Sequence, residues 1–64
     1  MSGFGELIKN YRIDNHYSQS SLANKLFISQ QTLSDWENKN HHPNFLEMQR
    51  ILKILKINIS ELDN

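Results

Sequence analysis

From Ser18 to Glu37 the chain reads SQSSLANKLFISQQTLSDWE, and this stretch constrains the fold more than any other. Leu22, Ala23 and Leu26 recur at helical spacing, and Leu33 and Trp36 do so again further on. Phe27-Ile28 breaks the pattern between them. A serine stands ahead of each run: Ser18 before the first and Ser29 before the second. A hydroxyl there accepts one of the N–H groups that the first helical turn leaves unpaired. The stretch therefore reads as two short helices joined by an abrupt turn. Ala23 is small where the second helix must cross closely. The second helix, about residues 30–38, turns Leu33 and Trp36 inward. Gln30, Gln31, Thr32, Ser34 and Asp35 then lie at its front and along its outer face.

The remaining chain is too short for a second unit. The 64 residues of the full chain predict one domain, 1–64, with all-α architecture. A chain of this size buries only about 60% of its unfolded surface, so packing must be good. There is no cysteine, hence no disulfide framework and no thiolate-bound zinc. That composition suits a reducing, cytoplasmic setting. No apolar run approaches the roughly 20 residues that span a bilayer. Two glycines and one proline argue against a many-turned β fold.

Helical periodicity continues on both sides. Between Ser2 and Asn15, Phe4, Ile8 and Tyr11 form one stripe with Leu7 at its edge, and Arg12 lies beside it. Asn15 and His16 suit a helix exit, because both tolerate a left-handed backbone. Pro43-Asn44 opens a fourth helix, and Asn44 with Glu47 resembles a capping box. Phe45, Met48, Leu52 and Leu55 form its inner stripe, widened by Ile51. Leu46 and Ile54 fall off the stripe, which hints at a partner surface. Ile57, Ile59 and Leu62 close the chain, with Ser60 placed to cap a last short turn.

The outward residues of the third helix carry the chemistry. A glutamine amide donates and accepts in one plane, matching N6 and N7 of adenine in the major groove. Two adjacent glutamines just behind a capping serine are therefore candidate base readers. Thr32 and Ser34 can bond to a base or a phosphate, and Asp35 can accept from cytosine N4. Gln19, in the first turn of the preceding helix, can meet a phosphate. The loop Asn38-Lys39-Asn40 can follow the nucleic-acid backbone. The candidate phosphate set is thus Ser18, Gln19, Ser29, Asn38, Lys39 and Asn40. His41-His42 invites a metal reading, but adjacent side chains diverge and no further ligand completes a site, so these rings are placed near phosphate instead. No nucleophile–base pair, metal spacing or glycine-rich phosphate loop points to an enzyme. No cofactor or small-molecule ligand is implied.

The whole pattern resembles the Cro/CI-type, XRE-like helix-turn-helix DNA-binding domains. Ile8, Tyr11, Arg12, Ser18-Gln19, Leu22-Ala23, Leu26, Ile28-Ser29, Leu33, Trp36-Glu37, Pro43, Phe45, Met48, Ile51, Leu55, Ile57 and Leu62 carry the resemblance. Ser29-Gln30-Gln31 looks especially like lambdoid phage repressors. The resemblance implies five helices, with the recognition helix near Gln30 to Asn38. It implies base contacts from Gln30, Gln31 and Asp35, and phosphate contacts from Gln19 and the loop after the recognition helix. It also implies an ion pair between Arg12 and Glu37 that fixes that helix to the scaffold. The expected function is transcription regulation, as a repressor dimer on double-stranded DNA with a palindromic operator. Four positions depart from the family's preference for glycine: His16, Phe27, Lys39 and Lys56. Either those turns are rebuilt or the domain gives up stability; a ring at Phe27 would otherwise cover the helix junction.

The charge balance leaves a second reading open. Lys and Arg total 7, as do Asp and Glu, whereas nucleic-acid binders usually carry a basic excess. A protein-interaction module on the same scaffold, an antitoxin or a regulator subunit, fits that balance and Asp35.

Overall fold

The computed structural model describes residues 3–58. Four helices follow one another: α1 Phe4–Asp14, α2 Gln19–Leu26, α3 Gln30–Asn38 and α4 Phe45–Leu55. Among the described residues there are four helices rather than the five the resemblance implies; Ile59, Ser60 and Leu62 lie outside them. α1 starts at Phe4, after Gly3 as its cap.

Side chains start three of the helices. Ser18 Oγ accepts from the Ser21 amide at 3.0 Å. Ser29 Oγ accepts from the Thr32 amide at 3.0 Å, and Asn44 Oδ1 from the Glu47 amide at 2.9 Å. The Glu47 carboxylate is turned to Arg50 instead of back to its cap, so only one arm of the expected capping box is made.

Three helices end in the same way. His16, Phe27 and Lys56 hold φ of 61°, 60° and 59°. The amide just beyond each reaches back five residues: Tyr17 to Arg12 O, Ile28 to Ala23 O, Ile57 to Leu52 O. Tyr17, Ile28 and Ile57 then pack against the core. This is the Schellman turn with its hydrophobic contact. Glycine is absent from all three, and the apolar residue that follows holds the left-handed backbone in place. The fourth departure is rebuilt: Lys39 has φ −116°, and Asn40, a residue that tolerates the left-handed region, takes φ 56°. Asn15 keeps φ −103° and leaves the left-handed turn to His16.

The core lies where the four helices meet. Ile8, Leu22, Leu26, Leu33 and Ile51 are fully buried, with Phe4, Ala23, Trp36, Leu52 and Leu55 around them. The Phe4 and Trp36 rings meet edge to face at 5.5 Å, joining the start of α1 to α3. Gly5 allows that approach: a Cβ there would lie 1.9 Å from the Trp36 carbonyl oxygen. Tyr11 and Tyr17 stack at 6.2 Å over the entrance to α2.

Two core assignments change. Phe45, expected on the inner stripe, is 60% exposed. It is the first residue of α4, and side chains lean toward a helix's N-terminus, which carries this ring past the edge of the core. Ile54, expected outside, packs against the core, while Leu46 is exposed as its position implies.

Candidate nucleic-acid interface

α3 is held from behind and polar in front. Leu33 and Trp36 are buried, whereas Gln30 and Gln31 are exposed at its first turn. Thr32, Ser34 and Asp35 are half-buried on the flanks, and Asn38 and Lys39 are exposed at its end.

The outer face is tied along the helix by side-chain bonds. Gln31 Nε2 donates to Asp35 Oδ1 at 2.9 Å, and Lys39 Nζ stands 3.6 Å from the same oxygen. Asn38 Nδ2 donates to Ser34 Oγ at 3.3 Å. Ser29 Oγ, besides capping α3, donates to Thr32 Oγ1 at 2.9 Å. Gln30 makes no side-chain hydrogen bond among the described residues. Asp35 thus stands beside Lys39, whose side chain remains 63% exposed, and holds one of the two glutamines.

Behind this face sits the ion pair of Arg12 and Glu37. Arg12 Nε donates to Glu37 Oε2 at 2.9 Å and Nη2 to Oε1 at 3.1 Å, a planar two-point pair. The Glu37 side chain is 1% exposed and that of Arg12 17%. Arg12 Nη1 also donates to the Tyr17 carbonyl at 3.2 Å. Gln19, a candidate phosphate contact, is half-buried and donates to Glu37 Oε1 at 3.3 Å. Its amide is therefore part of the same network, which joins the end of α1, the start of α2 and the end of α3. The other phosphate candidates, Ser18, Ser29, Lys39 and Asn40, are exposed around α3, with Asn38 between Ser34 and the loop.

Sequence reasoning missed a second arginine. Arg50 of α4 holds Glu47 at 2.7 and 2.6 Å and donates from Nη2 to the Leu26 carbonyl at 3.0 Å. The bond from Arg50 holds the Glu47 carboxyl below the ordinary glutamate value, and Glu47 in turn raises Arg50. The i, i+3 spacing of the pair was visible in sequence, but its reach to α2 was not. Of the two alternatives for Phe27, a cover over the helix junction is not the one seen: the residue is 84% exposed.

Two capped helices at a tight turn, the second anchored inward and polar outward, define a helix-turn-helix domain. The chain belongs to the Helix-turn-helix family, whose model matches residues 8–62, and it is of the XRE-like kind. It is 30% identical over 59 residues to the HTH-type transcriptional activator BcrR of Enterococcus faecalis. That match spans 92% of this chain and 29% of the relative, so the chain corresponds to under a third of that protein's length. No solved structure matches the chain significantly. The family match runs through most of the chain and makes it a helix-turn-helix domain. Among the described residues no helix is long and apolar enough to cross a membrane.

Proposed function

We propose that the chain reads a specific double-stranded DNA sequence through α3 in the major groove, as a homodimer on a palindromic operator, with repression by promoter occlusion as the outcome. The relative's name specifies activation; in this reading the sign of control follows from where the operator lies. The observation that carries the reading is the pair Gln30 and Gln31, exposed at the front of a helix anchored by Leu33 and Trp36. Gln30, Gln31 and Asp35 read bases, with Thr32 and Ser34 at the flanks. Ser18, Gln19, Ser29, Asn38, Lys39 and Asn40 set the register on phosphates. Two domains related by a two-fold axis place their α3 helices in successive major grooves, about 34 Å apart.

The test is selection of sites from random duplex DNA, with affinity measured at two salt concentrations. The expected result is a palindromic consensus whose affinity falls steeply with salt, because phosphate contacts release counterions. Gln30→Ala should relax preference at one base pair per half-site by about 1–3 kcal/mol, while Lys39→Ala weakens all sequences alike. Asp35 and a formal net charge of zero favour the second reading, a protein-interaction module. No selected consensus, together with partner binding indifferent to salt, would establish that reading instead.

A further inference from the structure

α2 is bound by a guanidinium at each end. At its start, Arg12 of α1 donates to the carbonyl of Tyr17, the residue before the Ser18 cap. At its finish, Arg50 of α4 donates to the carbonyl of Leu26, the last residue of the helix. Each guanidinium is itself locked by two bonds to a glutamate, Arg12 by Glu37 and Arg50 by Glu47. The two clamps come from opposite ends of the chain, so α2 is strung between α1 and α4.

The second clamp meets a specific need. The last carbonyls of a helix have no partner within it. The Schellman turn after α2 takes up Ala23 O and Asn24 O through the amides of Ile28 and Phe27. The carbonyls of Lys25 and Leu26 take no amide in that turn, and Leu26 O lies at the negative end of the helix, where a cation is favoured. Arg50 fills that place. The next residue, Phe27, is the left-handed corner from which the chain turns into α3, and its exposed ring adds no packing to hold it.

We propose that Arg50 is a positioning residue for DNA readout: by holding the Leu26 carbonyl to α4 it sets the corner between α2 and α3, and with it the height and tilt of Gln30 and Gln31 over the base edges. This rests on the DNA-reading function proposed above. A hydrogen bond to a base tolerates displacement of a few tenths of an ångström, whereas attraction to phosphates is long-ranged and forgiving. Loss of the clamp should therefore reduce discrimination more than general affinity.

The test compares wild type with Arg50→Met, Arg50→Lys and Glu47→Gln. The probes are the duplex that wild type selects best and a scrambled duplex of the same composition. Melting temperatures are measured first, and binding is measured well below the lowest of them. Arg50→Met should lower the selected-to-scrambled affinity ratio about tenfold, leaving scrambled binding and the salt slope within twofold. Arg50→Lys, which keeps one donor for Leu26 O, should recover part of the ratio. Glu47→Gln, which keeps the carbonyl bond but loosens the guanidinium, should fall between. If Arg50→Met does not fold, the two conservative variants carry the same comparison. A lower melting temperature with an unchanged ratio would overturn the proposal. So would a loss shared equally by both duplexes with a shallower salt slope, which would make Arg50 a phosphate contact. A wild type that prefers no duplex refutes the DNA-reading function itself; a wild type that discriminates, with variants that discriminate as well, refutes only the role of Arg50.

Discussion

Replacing Arg12 by methionine tests the support of α3 directly. Methionine keeps much of the aliphatic stem but removes every donor. Glu37, whose side chain is 1% exposed with Arg12 in place, would then retain the Gln19 amide at 3.3 Å. An unpaired buried charge of this kind costs about 3–5 kcal/mol. Arg12 itself is 17% exposed, so some water can reach the vacated site, and the lower end, about 3 kcal/mol, applies. In a domain this small each kcal/mol corresponds to roughly 4–8 °C, so melting should fall by about 12–24 °C. That is a large part of the roughly 3–10 kcal/mol that such a chain has in total.

The partner variants separate the charge effect from simple truncation. Glu37→Met strands Arg12 with only the Tyr17 carbonyl and should also destabilise, though less, because Arg12 is the more exposed partner. With both residues changed to methionine no charge is left buried, and the double variant should be more stable than Arg12→Met alone. Urea unfolding followed by Trp36 fluorescence reports on the right place, since Trp36 is buried and precedes Glu37 on α3. If Arg12→Met lies within about 0.5 kcal/mol of wild type, or the losses in the double variant simply add, the pair does not hold α3 as argued.

Other expectations follow from single features. Gly5→Ala should destabilise by about 3 kcal/mol or abolish folding, because the new Cβ would meet the Trp36 carbonyl oxygen at 1.9 Å and neither backbone yields cheaply; a wild-type melting curve would refute the close packing of α1 on α3. Phe27→Gly should stabilise by about 0.5–1 kcal/mol, because it relieves a left-handed φ of 60° and removes a ring that is 84% exposed; a lower denaturation midpoint would mean that the ring packs against something. Glu47 is lowered by Arg50 in the folded state, so its contribution is present above the ordinary glutamate value and is lost as pH falls through the lowered one. The stability difference between wild type and Glu47→Gln should shrink on acidification through that range, as read from urea midpoints. A difference that stays constant would sink the linkage.

What could be read from the sequence was what local rules determine. The serines at 18 and 29 and Asn44 specify helix starts through one hydrogen bond each, and all three make it. Periodicity located Leu22, Leu26, Leu33 and Ile51, because burial of a stripe needs only the helical repeat. Phe45 misled because it sits at the first turn, where periodicity does not say whether the core extends that far. The left-handed corners were visible only as missing glycines. That Tyr17, Ile28 and Ile57 would hold them is a three-dimensional fact, since each must find the core from just beyond its helix. Gly5 and Arg50 were illegible for the same reason: one is needed for the distance to Trp36, the other for a carbonyl 24 residues away.

The neutral charge of the chain and its rigid scaffold belong to one argument. A strongly basic domain gains affinity from phosphates at almost any orientation. Here Asp35 stands 3.6 Å from Lys39 and the formal charges of the whole chain cancel, which weakens general attraction. In the DNA-reading function we propose, affinity then comes from short contacts that form only when Gln30 and Gln31 arrive at the correct height. Such contacts lose most from any rocking of α3. The same chain places a two-point arginine–glutamate pair behind the end of α3 and a second beside the corner that precedes it. The four left-handed positions among the described residues, none of them glycine, also leave fewer alternative backbones open than glycine would. On the proposed function, the residue choices that weaken indiscriminate binding and those that stiffen α3 favour the same outcome: a domain that holds poorly to arbitrary DNA and depends on fit for the rest.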